Sequence, residues 1–151
     1  MRLIYQLFFL VLVSFNCLAF ETSADDIEFD TQNGICILSG NAVLKNNDNI
    51  FKADKITIYK KDSDKLPTKI IAFGNVSYSD GRNSVTSQKC IGNVDSIVFS
   101  QNVIVEGVDF GKIEADKAIY SIKAKKIDLT SKKKVKLTLD KFIEEKLKKS
   151  K

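Results

Sequence analysis

The chain has 151 residues, with 24 Lys and Arg against 19 Asp and Glu, a net charge of +5, and no His or Trp. Without His, the usual acid/base, metal and nucleophile-activating arrangements lack their commonest member. The charge is also localised: from Ser131 onward nine Lys meet only Asp140, Glu144 and Glu145, a surplus of six, so once Arg2 is set aside the stretch from Phe20 to Thr130 is about −2. A nucleic-acid domain carries positive charge on its folded surface, so no nucleic-acid partner is expected. The basic end reads as plain solvation, or as a segment that meets anionic lipid head groups or a partner surface.

Met1 and Arg2 precede an apolar run, Leu3 to Val13, and then Ser14-Phe15-Asn16-Cys17-Leu18-Ala19. That order is a secretory leader, so residues 1–19 are expected to be a signal peptide cut after Ala19, with Ala24 as the second choice. A retained anchor over Leu3 to Phe20 is the rival reading, near the minimum length for a membrane helix. Gln6, Ser14 and Asn16 argue against it, and Asn16 also disfavours a lipoprotein reading of Cys17. The mature chain is expected to be one domain, 25–139, and a Lys-rich tail, 140–151, disordered or a frayed helix.

Beyond the leader, short β-branched and aromatic runs are broken by Asn, Asp and Gly, and no apolar stretch keeps helical spacing for three turns. The expected fold class is all-β. Ile27 to Phe29, Lys55 to Tyr59 and Asn102 to Glu106 read as strands. Asn46 to Asn49 and Ser79 to Asn83 read as hairpin turns, and Pro67 sits in a polar loop, Lys61 to Lys69.

An internal repeat organises these runs. Leu38-Ser39-Gly40-Asn41-Ala42-Val43-Leu44 is answered by Ala72-Phe73-Gly74-Asn75-Val76-Ser77-Tyr78 and by Phe99-Ser100-Gln101-Asn102-Val103-Ile104-Val105. Each is followed by a second element, Ala53-Asp54-Lys55, Ser87-Gln88-Lys89 and Ala115-Asp116-Lys117, at steps of 12, 12 and 13 residues from the motif Asn. The unit is therefore a repeated hairpin.

Strands alternate faces with period two, so the copies fix a register. Ala42, Leu44, Val76, Tyr78, Val103 and Val105 are expected inward, with Cys36, Leu38, Ile97 and Phe99 by continuity. On the returning strands Ile56 and Ile58 match Ala118 and Tyr120. Lys45, Ser79 and Glu106 fall on the outer register, and the opposite face is mixed around Val43 and Ile104. Such inward residues serve equally well as ordinary core or as the wall of an apolar groove.

No constellation carries catalysis. Asp54 and Asp116 occupy equivalent places in successive copies, which fits a repeated structural job such as holding a turn. Gly40 and Gly74 stand alone before strands, unlike a phosphate-binding loop. Cys36 and Cys90 are either one disulfide or two buried thiols. The expected protein is not an enzyme and uses no metal or cofactor.

Ser39-Gly40-Asn41-Ala42-Val43 with Ala53-Asp54-Lys55-Ile56, echoed by Ser100-Gln101-Asn102-Val103 with Ala115-Asp116-Lys117-Ala118, resemble the OstA-like (LptA) family of periplasmic lipopolysaccharide transport bridge proteins. The resemblance covers about Asp25 to Leu137. It implies an open, slightly twisted, V-shaped antiparallel β-jelly-roll of two sheets, located in the periplasm. It implies lipopolysaccharide as ligand, its lipid A acyl chains held along the inner face, with Ile27 and Phe29 beginning the groove. It also implies head-to-tail self-association, in which Val135, Leu137 and Leu139 offer the last strand, and partners resembling the inner-membrane protein LptC and the outer-membrane translocon LptD. An LptC-like anchored component and a structural β-scaffold that binds no lipid are the alternatives. Gln101 in place of the motif Gly, Ser87-Gln88-Lys89 in place of Ala-Asp-Lys, the two cysteines and the Lys-rich end depart from the family pattern.

Overall fold

Three left-handed dipeptides bend this protein. In the computed structural model, Gly40 and Asn41 have φ of 76° and 47°, Gly74 and Asn75 repeat those values, and Gln101 and Asn102 come next at 68° and 55°. Consecutive positive φ angles cannot continue a strand, so each dipeptide is a bulge that turns its strand. The description covers residues 21–61, 63, 67–121, 123–124 and 126–138. The expected leader (1–19), Leu139 and the Lys-rich tail (140–151) lie outside the described residues.

Among the described residues ten strands form one antiparallel sheet: β1 (Glu21–Ser23), β2 (Asp26–Asp30), β3 (Ile35–Asn46), β4 (Asn49–Tyr59), β5 (Lys69–Ser79), β6 (Asn83–Asn93), β7 (Ser96–Gly107), β8 (Gly111–Ser121), β9 (Lys126–Thr130) and β10 (Lys136–Thr138). β3 to β8 pair in sequence order, β1 and β2 both pair with β3, and β9 and β10 both pair with β8. Each edge is thus one strand interrupted midway. The expected turns at Asn46 to Asn49 and Ser79 to Asn83 join β3 to β4 and β5 to β6.

Register shifts fall in one line across the sheet, between Ser39 and Ala42, Lys52 and Lys55, Phe73 and Val76, Thr86 and Lys89, and Ser100 and Val103. The line divides the sheet into a first leaf, containing β2, Ile35–Ser39 and β9, and a second leaf, containing β1, Ala42–Asn46 and β10. The two sheets implied by the family resemblance are these two leaves of one continuous sheet. Their inner faces share a single apolar core, which a flat single-layer sheet would leave in water.

Neighbouring side chains hold the bend line. Asp25 N–H donates to Gly40 O at 2.8 Å, and Asn41 Nδ2 donates to Asp25 Oδ2 at 3.1 Å. One hairpin on, Asn75 Nδ2 donates to Asp54 Oδ2 at 3.0 Å. At the far edge Lys132 N–H donates to Asp116 Oδ2 at 2.8 Å, and Asp116 N–H donates to Ser131 Oγ at 2.9 Å. A Cβ on Gly40 would collide with Asp25, and one on Gly74 with Asp54. The motif glycine is therefore required twice over, by φ and by the carboxylate seated against it.

In the second copy the Asp position is Gln88, whose Oε1 accepts from Asn75 N–H at 3.5 Å on the preceding strand. Gln88 thus reaches backward where Asp25 and Asp54 reach forward. The residue at the following bend, Gln101, is exposed, and there a side chain replaces Gly.

Candidate functional site

The inner face is built by the alternation of β3 to β8. Leu38, Ala42, Leu44, Ile56, Val76, Tyr78, Ile97, Phe99, Val103 and Tyr120 are at most 2% exposed, and Cys36, Ile58 and Val105 are also buried. Phe51, Ala53, Ile70, Ala72, Val85, Cys90, Ala115 and Ala118 complete this face. The sequence conceals the parity of those on the returning strands β4, β6 and β8, because there the bulge puts two outward residues in succession, as at Asp54 and Lys55. Buried Ser87 takes an inner position with its hydroxyl donating to Lys89 O at 3.0 Å.

Ile27 and Phe29 stand opposite Leu38 and Cys36, in the inward register, but are 41% and 67% exposed. β2 is an edge strand, and among the described residues none covers them. At the other edge Leu137, opposite Ile113, is 55% exposed and Val135 40% exposed.

The middle of the interior is sealed and its β9 end is open. There a cavity of about 350 Å³ is walled by Tyr78, Val85, Val105 and Ile113 from the second leaf and by Ile127 and Leu129 from the first, with Phe110 at the rim. Its wall is mostly apolar, and its size is at the low end of small-molecule sites, roughly 300 to 1,000 Å³. Tyr78 Oη donates to Asn49 Oδ1 at 3.0 Å. Burial, helped by the Asp80 carboxylate, pushes the phenol above its ordinary range. Of the residues expected inward, Tyr78 and Val105 reach this cavity. Val85, Phe110, Ile113, Ile127 and Leu129 were not singled out by the repeat, because they lie on β6, at a hairpin tip, on β8 and on the edge strand β9.

Cys36 and Cys90 are free, buried thiols. They lie on β3 and β6, three strand spacings apart, roughly 14 Å, far beyond the reach of a disulfide. The bridge left open by the sequence is not formed. Burial raises both thiols, Cys90 to about 12. Among the described residues no three His, Cys, Asp or Glu side chains group to hold a metal ion, and no helix is long and apolar enough to cross a membrane.

Residues 12–65 match the family model described as LptA/(LptD N-terminal domain) LPS transport protein, through the end of β4. Over that stretch the sequence is similar to this transport family. The chain's fold is also that of a solved structure titled LptH, the LptA homologous periplasmic component of the conserved lipopolysaccharide transport device from Pseudomonas aeruginosa. That likeness has a TM-score of 0.65 at 12% identity and covers 80% of this chain and 94% of that one. No curated protein sequence matches the chain. The reading of the chain as a non-enzyme rests on this similarity, which is to a transport protein.

Proposed function

We propose that the protein carries lipopolysaccharide across the periplasm, holding acyl chains of lipid A between its leaves and bridging inner and outer membranes as a head-to-tail assembly. The observation that carries this reading is the apolar cavity of about 350 Å³ at the β9 end, continuous with an inner face that is apolar but for Ser87. A buried methylene contributes about 0.8 kcal/mol, so a chain segment lying between Tyr78 and Leu129 is held firmly yet released when a neighbouring domain offers equal cover. The leader delivers the domain to the periplasm by cleavage after Ala19 or Ala24. The LptC-like and LptD-like partners cap the two ends of the assembly.

The sealed stretch around Leu38, Ala42 and Phe99 favours a second reading, a β-scaffold that binds no lipid. An anchored LptC-like component is the third, and the mass of the protein isolated from cells separates it: the carrier starts at Phe20 or Asp25, the anchored form retains Leu3 to Phe20.

The test is photo-crosslinking in cells of the full chain, with a photoreactive residue at Ile113, Leu129 or Tyr78 and at outward Lys45 as control. Lipid adducts at the first three and none at Lys45 are expected. No adduct at any of the four overturns the carrier reading in favour of the scaffold.

A further inference from the structure

The apolar cavity opens where the described chain ends. Asn83, Asp109 and Phe110 in its wall belong to the β5–β6 and β7–β8 hairpin ends of the second leaf. β10 runs to the same place, since Thr138 stands opposite Lys112, one residue inside the start of β8. Leu137, 55% exposed, stands opposite the cavity wall Ile113 and shares its face, as opposed residues of an antiparallel pair do. Thirteen residues, 139–151, follow Thr138, so they leave the sheet at the rim of the mouth.

The sequence of that segment supplies what the mouth lacks. Leu139, Phe142, Ile143 and Leu147 recur at steps of three, one and four, the spacing that gathers residues on one side of a helix. Glu144 and Glu145 fall on the other side, and Lys146 falls among the apolar residues, where its stem can lie along them with its charge at the rim. In that form the steps from Leu139 to Leu147 span about 12 Å. Neighbouring hairpin ends of the leaf are two strand spacings apart, roughly 10 Å. The apolar group is thus long enough to cross from Phe110 at the β7–β8 end to Tyr78 and Val85 near the β5–β6 end.

Charge gives the crossing a direction. The turns at the hairpin ends carry Asp109, Asp80 and Asp48 in order from β8 towards β3, with Arg82 as their one cation. Arg82 lies 3.6 Å from Asp109, and the Asp80 carboxylate is fixed by the N–H groups of Arg82 and Asn83, which donate to it at 2.9 and 2.7 Å. Past Leu147 the chain carries Lys148, Lys149 and Lys151 and no acid. A segment that crosses from β8 therefore brings its Lys end to Asp80. Exposed pairs of this kind contribute little energy singly, so they orient the segment while its apolar side holds it.

We infer that residues 139–147 fold back over the mouth of the cavity in their own chain, with Phe142 and Ile143 against Phe110, Ile113 and Leu137 and with Lys148 and Lys149 at the Asp80 turn. The segment shields the apolar wall until a ligand displaces it. Tethering gives it an effective concentration of about a millimolar. A mouth covered in about nine molecules of ten lowers a ligand's apparent affinity about tenfold. That the displacing ligand is an acyl chain rests on the carrier reading above, whereas the cover itself does not.

The test places a photoreactive residue at Phe142 of the full chain, in the absence of lipid. Crosslinks within single chains, mapped to residues 105–113 or 127–129, are expected. Crosslinks found only between chains put a second copy in the mouth and overturn the proposal, as does a yield at background. Binding of a neutral apolar dye, N-phenyl-1-naphthylamine, gives an independent readout. Phe142→Asp with Ile143→Asp should raise dye affinity about tenfold while the sheet still unfolds cooperatively in denaturant, and Phe142→Leu should keep the parental affinity. Equal affinity in all three proteins overturns the cover. Lys148→Glu with Lys149→Glu should lower the crosslink yield severalfold, and an unchanged yield overturns the direction of crossing. Lipid A vesicles should then abolish the crosslink. A crosslink and a dye response that hold while vesicles alter neither leave the cover standing and overturn the carrier reading, so the two fail separately.

Discussion

Asn75 Nδ2 donates a 3.0 Å hydrogen bond to Asp54 Oδ2, and the same carboxylate covers the space that a Cβ on Gly74 would need. The repeated Asp and the repeated Gly-Asn are therefore two halves of one device, a latch placed where a strand must turn. Gly74→Ala is expected to cost about 2 to 3 kcal/mol, combining a left-handed φ with the collision. In an Asp54→Ala background the collision is gone, and the same substitution should cost less by about 1 kcal/mol. Denaturant midpoints of the four proteins in this double-mutant cycle measure the difference. Strictly additive costs would show that the latch is not a coupled unit.

Gln101 offers the converse case. It holds φ of 68° with a side chain where the other two copies have Gly. An L-residue pays about 1 kcal/mol there, and Gly loses unfolded-state freedom instead. Gln101→Gly should stabilise the protein by roughly 0.5 to 1 kcal/mol, read as a higher denaturant midpoint. A lower midpoint would mean that the Gln101 side chain contributes more than its strain costs.

Much of this arrangement was legible because the repeat samples one strand pattern three times. Superposing Ala42, Val76 and Val103 averages out local exceptions, so the inward register emerged without structure. The bend did not. Gly-Asn reads as a turn signal between strands, whereas here it lies inside β3 and β5, where paired strands on both sides keep the ladder running past it. The extra outward residue on β4, β6 and β8 then breaks period-two counting, which hid Phe51, Ala53, Val85 and Ala115. The cavity was hidden for a different reason: Ile127 and Leu129 look like any short alternating run, and only edge position leaves them half covered.

Cys90 gives a pH dependence with a definite sign. Burial raises its thiol to about 12 from an ordinary value of 9.0, so the folded protein keeps the proton that the unfolded chain releases. The stability this contributes is complete below about pH 9 and is lost as pH climbs toward 12, at up to about 1.4 kcal/mol per unit. Cys90→Ala lacks this slope, and its cost relative to the parent should shrink between pH 9 and 10.5 when both are unfolded in denaturant. The native protein should also react slowly with a thiol reagent at pH 8 and quickly once unfolded. Rapid modification of two thiols in the native state would show that the inner face is open at these positions.

Phe99 and Leu129 divide the labour of the interior, and their substitutions should separate stability from binding. Phe99 is 1% exposed between the leaves, and Phe99→Ala should cost about 3 to 5 kcal/mol through the cavity it leaves. Leu129 is only partly buried, against the core and in the wall of the open cavity. Leu129→Ala should cost about 1 kcal/mol of stability, because its side chain already meets solvent. If the cavity takes an acyl chain, the same substitution removes contact from the bound methylenes, and affinity for a lipid A vesicle should fall about tenfold, near 1.4 kcal/mol. Equilibrium unfolding and vesicle binding of the two variants give both numbers. A Leu129→Ala protein with parental affinity would place any bound lipid elsewhere, and one destabilised as much as Phe99→Ala would make the β9 end part of the sealed core.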